Sequence, residues 1–181
     1  IDWFDIGAVG KSPSRFDMTR LLNLNAHYLR TSSDDELLAL VRPLMEKTLG
    51  AALPSGAAER VQRGMAGLKP RAKDLNELAA GAMVYAQVRP LACDDKAKAQ
   101  LTEGRDILAA AQPALAAVAD WTHDALEAAV RDLAEKSGQK LGKVAQPLRA
   151  AITGSTVSPP LFEVMDILGR EESLARLADA L

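Results

Sequence analysis

The sequence is short of cysteine, aromatic residues, histidine and long apolar runs, and each shortage removes a class of function. A single cysteine, Cys93, excludes an internal disulfide framework and any multi-cysteine zinc site. Two Trp, two Tyr and three Phe in 181 residues make an aromatic cofactor pocket or a base-stacking platform hard to build. His27 and His123 stand alone, with no second ligand one helical turn away, so no metal is expected at either. No apolar run approaches the roughly 20 residues of a membrane helix, and no charged stretch leads into an apolar one as in an export signal. The expected setting is a reducing cytoplasm with no membrane partner. Excess positive charge is missing too: 22 basic residues face 24 acidic ones, with a pI near 5.7, unlike a nonspecific phosphate binder. The chain opens at Ile1 without an initiator Met, which reads as a piece of a longer polypeptide.

What is present points to helix. Hydrophobic residues make up 48% and charged residues 25%, with a mean hydropathy of -0.04, and a chain this long buries roughly 70% of its unfolded surface. Alanine is roughly one residue in six, and β-branched residues are few. Capping residues divide the chain into short amphipathic segments. Asp17 precedes Met18, Leu21, Leu22, Leu24, Tyr28 and Leu29; Ser33 with Glu36 forms a capping box; Ser55 opens a segment ending at Gly67; Asp74 caps the next. The stretch Arg89-Pro90 to Asp94-Asp95 is the best internal seam, and Pro113 is expected to kink or divide the helical run from Asp95 to Val118. Thr122 caps a segment ending at Gly138, Gly154 closes the next, and Ser158-Pro159 reads as a cap and first helical residue. The fold class is all-α: two successive small helical bundles, 33–88 and 89–181, behind a short irregular segment within 1–32.

Catalytic chemistry does not assemble. Gly10-Lys11-Ser12 lacks the earlier glycine of a phosphate loop, its place being taken by Asp5. Asp94 and Asp95 raise the pKa of Cys93 rather than activate it. Asp34-Asp35-Glu36 and Glu171-Glu172 fall at helix starts, where they complement the dipole. Charge is nevertheless uneven. Arg60, Arg63, Lys69, Arg71 and Lys73 form one acid-free run, and Lys136, Lys140, Lys143 and Arg149 another. Such runs track a nucleic-acid backbone, or they are solvated faces of a noncatalytic protein-interaction bundle. Two proline-stiffened segments, Leu68 to Lys73 and Gly154 to Pro160, each lead into a helix.

The stretch Gln146-Pro-Leu-Arg149-Ala-Ala-Ile-Thr-Gly154 through Ser158-Pro-Pro-Leu-Phe162 to Gly169 resembles the C-terminal end of bacterial glutamyl-tRNA synthetases. Val9 to Arg30 is similar to that family's stem-contact region, and Pro70 to Leu78, Trp121-Thr122 and Lys140 to Leu148 are similar to its two anticodon-binding subdomains. The resemblance covers essentially the whole chain. It implies a tRNA-reading fragment of a class I synthetase that esterifies glutamate to tRNA(Glu). ATP and Mg2+ would serve the parent enzyme, a monomer, and no cofactor this fragment. By resemblance, Arg71 faces the third anticodon base, and Arg149 with Ser158, Pro159 and Leu161 faces the first two. Lys69, Lys73, Lys140 and Lys143 are candidate contacts to the tRNA backbone. Arginine offers only donors, cytosine offers adjacent acceptors at O2 and N3, and guanine offers N–H groups there, so Arg71 favours C over G. A uracil at the middle position offers O2 and O4 to Arg149. With aromatics scarce, bases would pack on Leu161, Pro159 or the arginine planes.

Overall fold

The structure, a computed structural model, describes residues 5, 7, 10 and 16–181. Most of the Gly7 to Ser12 turn and of the stretch Val9 to Arg15 therefore lies outside the described residues. Ten α-helices and no strand occur among them. The first four are α1 (Met18–Thr31), α2 (Asp34–Leu49), α3 (Ala57–Leu68) and α4 (Leu75–Ala82). The remainder are α5 (Asp95–Glu103), α6 (Arg105–Ala116), α7 (His123–Lys136), α8 (Leu141–Thr153), α9 (Leu161–Leu168) and α10 (Arg170–Asp179). No helix of the described residues is long and apolar enough to cross a membrane.

Local chemistry explains most helix starts. Asp17, Ser33, Asp74, Asp94 and Thr122 each accept a hydrogen bond from a first-turn backbone N–H, satisfying a donor that the helix itself leaves unpaired. At Ser33 the bond is reciprocated by Glu36, a complete capping box. Gly50 and Gly154 end α2 and α8 in the left-handed conformation that costs glycine no steric strain.

Three expected boundaries move, each for a packing reason. Gly67 does not end α3, which runs to Leu68 and tightens into a 3-10 turn at Lys69–Arg71. A Cβ on Gly67 would stand 2.3 Å from the Glu163 carboxylate of α9, so the missing side chain admits a neighbouring helix. Gly64, one turn earlier, does the same for the Tyr85 ring, 2.4 Å from such a Cβ. Pro113 does not divide its helix but lies inside α6, and the division falls at Gly104. There a Cβ would meet the Pro147 ring of α8 at 2.4 Å. Finally, α9 starts at Leu161 without a side-chain cap, because the Ser158 hydroxyl is engaged by Arg149 instead.

Buried residues from Leu29 to Leu177 form one hydrophobic cluster. Helices α2 to α4 pack on one another, α5 to α10 do likewise, and α3 lies on α9 across the irregular segment 86–94. Arg176 ties the halves together: wholly buried, it donates to the carbonyls of Val84, Gln87 and Ile152 and pairs with Glu172. Trp121 donates its indole N–H to the Met165 carbonyl at 2.8 Å and carries Arg170 over its ring. On α1, by contrast, only Ala26 and Leu29 are buried, while Met18, Leu21, Leu24 and Tyr28 are exposed beside Phe16.

Candidate nucleic-acid interface

Two residues far apart in sequence, Arg71 and Arg149, come near each other: Arg71 lines a cleft, and Arg149 holds the loop residues Ser158 and Pro159 that bound it. The 3-10 turn after α3 carries Arg71 to its rim, while Arg149 projects from the last turns of α8. The cleft, about 380 Å³, has apolar walls from Leu68, Leu78 and Pro159, and is bounded by the loop residues Val157 and Ser158 and by Glu77 and Gly81 of α4.

Arg149 is half-buried and aimed by the loop. One terminal nitrogen, Nη1, donates to the Ser158 hydroxyl and to the Pro159 carbonyl, the latter at 2.8 Å. Its Nη2 and Nε make no hydrogen bond among the described residues, so part of the donor fork stays available. Burial, and then the positive charge of Arg71, hold the Arg149 guanidinium below its ordinary pKa. Arg71 is exposed, with only a long 3.4 Å bond to the Gly67 carbonyl. Neither arginine has a carboxylate within 4 Å among the described residues. Two like charges held near each other without a counter-ion are electrostatically unfavourable, and a ligand that brings acceptors between them relieves that repulsion.

The loop is held from outside the cleft. Asp94, already the cap of α5, also accepts a 2.9 Å bond from the Ser155 hydroxyl, and its backbone N–H donates to the Gly154 carbonyl at 3.1 Å. The Ala97 N–H and the Ser155 hydroxyl hold the Asp94 carboxyl below the usual carboxylate range. The Thr153 hydroxyl lies between the carbonyls of Arg149 and Ser155, closing the turn from α8 into the loop.

The other expected site residues divide. Lys69 is drawn inward, with its ammonium 2.5 Å from Asp34 and 2.7 Å from the Ser32 carbonyl, joining α2 to the turn. Lys73, Lys140 and Lys143 are exposed and make no ion pair among the described residues. Leu161 is 3% exposed and belongs to the core, so its side chain is not presented to the cleft. Val157, 83% exposed at the cleft, is the apolar surface that sequence reasoning passed over. The Cys93 thiol is pushed up mainly by burial and only then by Asp94. His123 contacts Asp124, and His27 packs edge-on to Tyr28. Among the described residues no three His, Cys, Asp or Glu side chains group as metal ligands.

An all-helical frame presenting an apolar cleft, with Arg71 unpaired at its rim and Arg149 against the loop that bounds it, has the chemistry to receive an acceptor-rich ligand. The same frame occurs in a solved glutamate tRNA ligase from Elizabethkingia meningosepticum, at a TM-score of 0.77 and 22% identity, over 98% of this chain and 34% of that one. The chain belongs to the anticodon binding domain family, which residues 36–181 match. It is 54% identical over 181 residues to Glutamate--tRNA ligase 2 of Rhodospirillum rubrum, covering 99% of this chain and 39% of that protein. Glutamate--tRNA ligase 2 of Rhodospirillum centenum is 53% identical over 98% of this chain and 38% of its own length. The chain thus spans under two-fifths of these relatives.

Proposed function

We propose that this chain is the anticodon-reading part of a glutamate–tRNA ligase, and that the cleft lined by Arg71 and by the loop that Arg149 holds receives unstacked anticodon bases. The observation that carries the reading is that two guanidinium groups, 78 positions apart in sequence, stand near each other with no carboxylate paired to either, Arg71 lining the cleft and Arg149 holding the loop at its edge. In this reading the subdomains 33–88 and 89–181 contribute one arginine each. Single-stranded RNA is read by splaying bases out and hydrogen-bonding their edges, and arginine planes replace the missing aromatic platform. Arg71 faces the third anticodon base and selects C over G, while Arg149, positioned by Ser158 and Pro159, reads the first two with the backbone of Leu161. Lys73, Lys140 and Lys143 contact phosphates, and Lys69 supports the turn. The names of the relatives support tRNA(Glu) as the partner. Activation of glutamate with ATP and Mg2+ is assigned to the part of the relatives that this chain does not span, in a monomeric cytoplasmic enzyme.

Replacing Arg71 by Gln tests this assignment. It should reduce discrimination between C and G at the third position by roughly tenfold while weakening overall binding less. An equal loss on both RNAs would make Arg71 a phosphate contact. The exposed apolar stripe on α1 favours a second reading, a protein-interaction module. Affinity for tRNA that falls steeply with salt supports RNA, and no binding at low salt supports that alternative.

A further inference from the structure

Among the described residues, Glu77 is the one acidic side chain bounding the Arg71 cleft. It is exposed, and one carboxylate oxygen, Oε2, accepts the Lys73 backbone N–H at 2.8 Å, completing the cap of α4. The other oxygen makes no hydrogen bond among the described residues. Arg71 and Glu77 bound the same cleft, yet no ion pair within 4 Å joins them among the described residues. A donor fork and a free acceptor are therefore held apart across apolar walls, in a volume within the range of small-ligand pockets.

This pattern has a chemical complement. Of the four RNA bases, cytosine alone presents two adjacent acceptors, O2 and N3, beside an amino donor, N4. Uracil replaces that donor with a carbonyl, which would meet the carboxylate acceptor to acceptor. Guanine presents N–H groups to the guanidinium. We infer that Glu77 is a second base-reading group of this cleft, accepting a hydrogen bond from the exocyclic amino group of the base that Arg71 engages, so that cytosine is the base selected. The inference rests on the cleft's being an anticodon reader and adds the group that separates cytosine from uracil, which Arg71 alone does only in part. Aligned acceptors exclude the wrong base more strongly than one lost bond, because the carboxylate would be desolvated without a partner.

An atomic change in the RNA separates base reading from the capping role of Glu77. The full chain is titrated with anticodon stem-loops identical except at the third anticodon base, which is cytosine or 2-pyrimidinone, a cytosine without its amino group. The wild-type protein should bind the 2-pyrimidinone RNA roughly tenfold more weakly. Glu77→Gln, whose side-chain carbonyl still accepts the Lys73 N–H and whose amide NH2 then faces the base, should bind the cytosine RNA no more tightly than the 2-pyrimidinone RNA. Equal binding of both RNAs by the wild-type protein overturns the inference without requiring any variant to fold. So does a preference that survives in Glu77→Gln. If the wild-type chain prefers cytosine to guanine yet ignores the amino group, only the role of Glu77 falls. If it binds no stem-loop at all, the anticodon reading falls with it.

Discussion

Arg176 and Arg149 show how one residue type serves opposite ends. The Arg176 side chain has no exposure, and its guanidinium is used up on three backbone carbonyls and Glu172. Burial lowers its pKa, and Glu172 acts against that shift. Arg149 is only half-buried, shares one nitrogen with the loop, and faces Arg71 rather than an acid. The first is a structural strut joining the segment after α4 to α8 and α10. We predict that Arg176→Met destabilises the protein by about 3 kcal/mol in urea unfolding, because three buried carbonyls and Glu172 lose their donor. A change below about 0.5 kcal/mol would show that the halves hold without it. Nothing in the sequence distinguishes these arginines, since burial of the first is imposed by carbonyls up to 92 positions away. The resemblance, not the local pattern, singled out Arg149.

At the scale of the element, the decisive unit is the loop between α8 and α9. Its anchor is Asp94, legible in the sequence as part of the seam where the chain restarts but not as the partner of Ser155, 61 positions on. Helix caps use neighbours in sequence, which is why those at Asp17, Ser33, Asp74 and Thr122 were readable, whereas the moved boundaries at Gly67, Gly104 and Ser158 answer to side chains on other helices. A glycine that admits a neighbour and a glycine that ends a helix look alike until the neighbour is known. The lowered pKa of Asp94 makes the anchor sensitive to acid. A carboxylate whose folded pKa lies below its unfolded value stabilises above the unfolded value, and that contribution is lost as pH falls through the folded one. The wild-type protein should therefore exceed Asp94→Ala in melting temperature by a constant margin from pH 7 to about pH 5, narrowing below about pH 4. A margin unchanged down to pH 3 would show that the charge of Asp94 contributes nothing.

At the scale of the whole molecule, net charge is a poor guide and placement a good one. A chain with 22 basic and 24 acidic residues brings Arg149 near Arg71 at the edge of one cleft and uses many other charges internally, as in Lys69 with Asp34 and Arg89 with Glu172 and Asp179. The all-helical class was legible from alanine content, periodicity and caps. The approach of Arg149 to Arg71 was not, because it depends on α3 lying across α9, which the glycines of α3 permit. Selective rather than indiscriminate binding of RNA follows if the cleft reads bases. The most direct test is to titrate the wild-type chain with two stem-loops that share a stem, one carrying a glutamate anticodon and the other a scrambled loop of equal length. The account predicts at least tenfold tighter binding of the first, persisting as salt is raised even while both affinities fall. Equal affinities at every salt concentration would contradict it, leaving only a phosphate-binding surface.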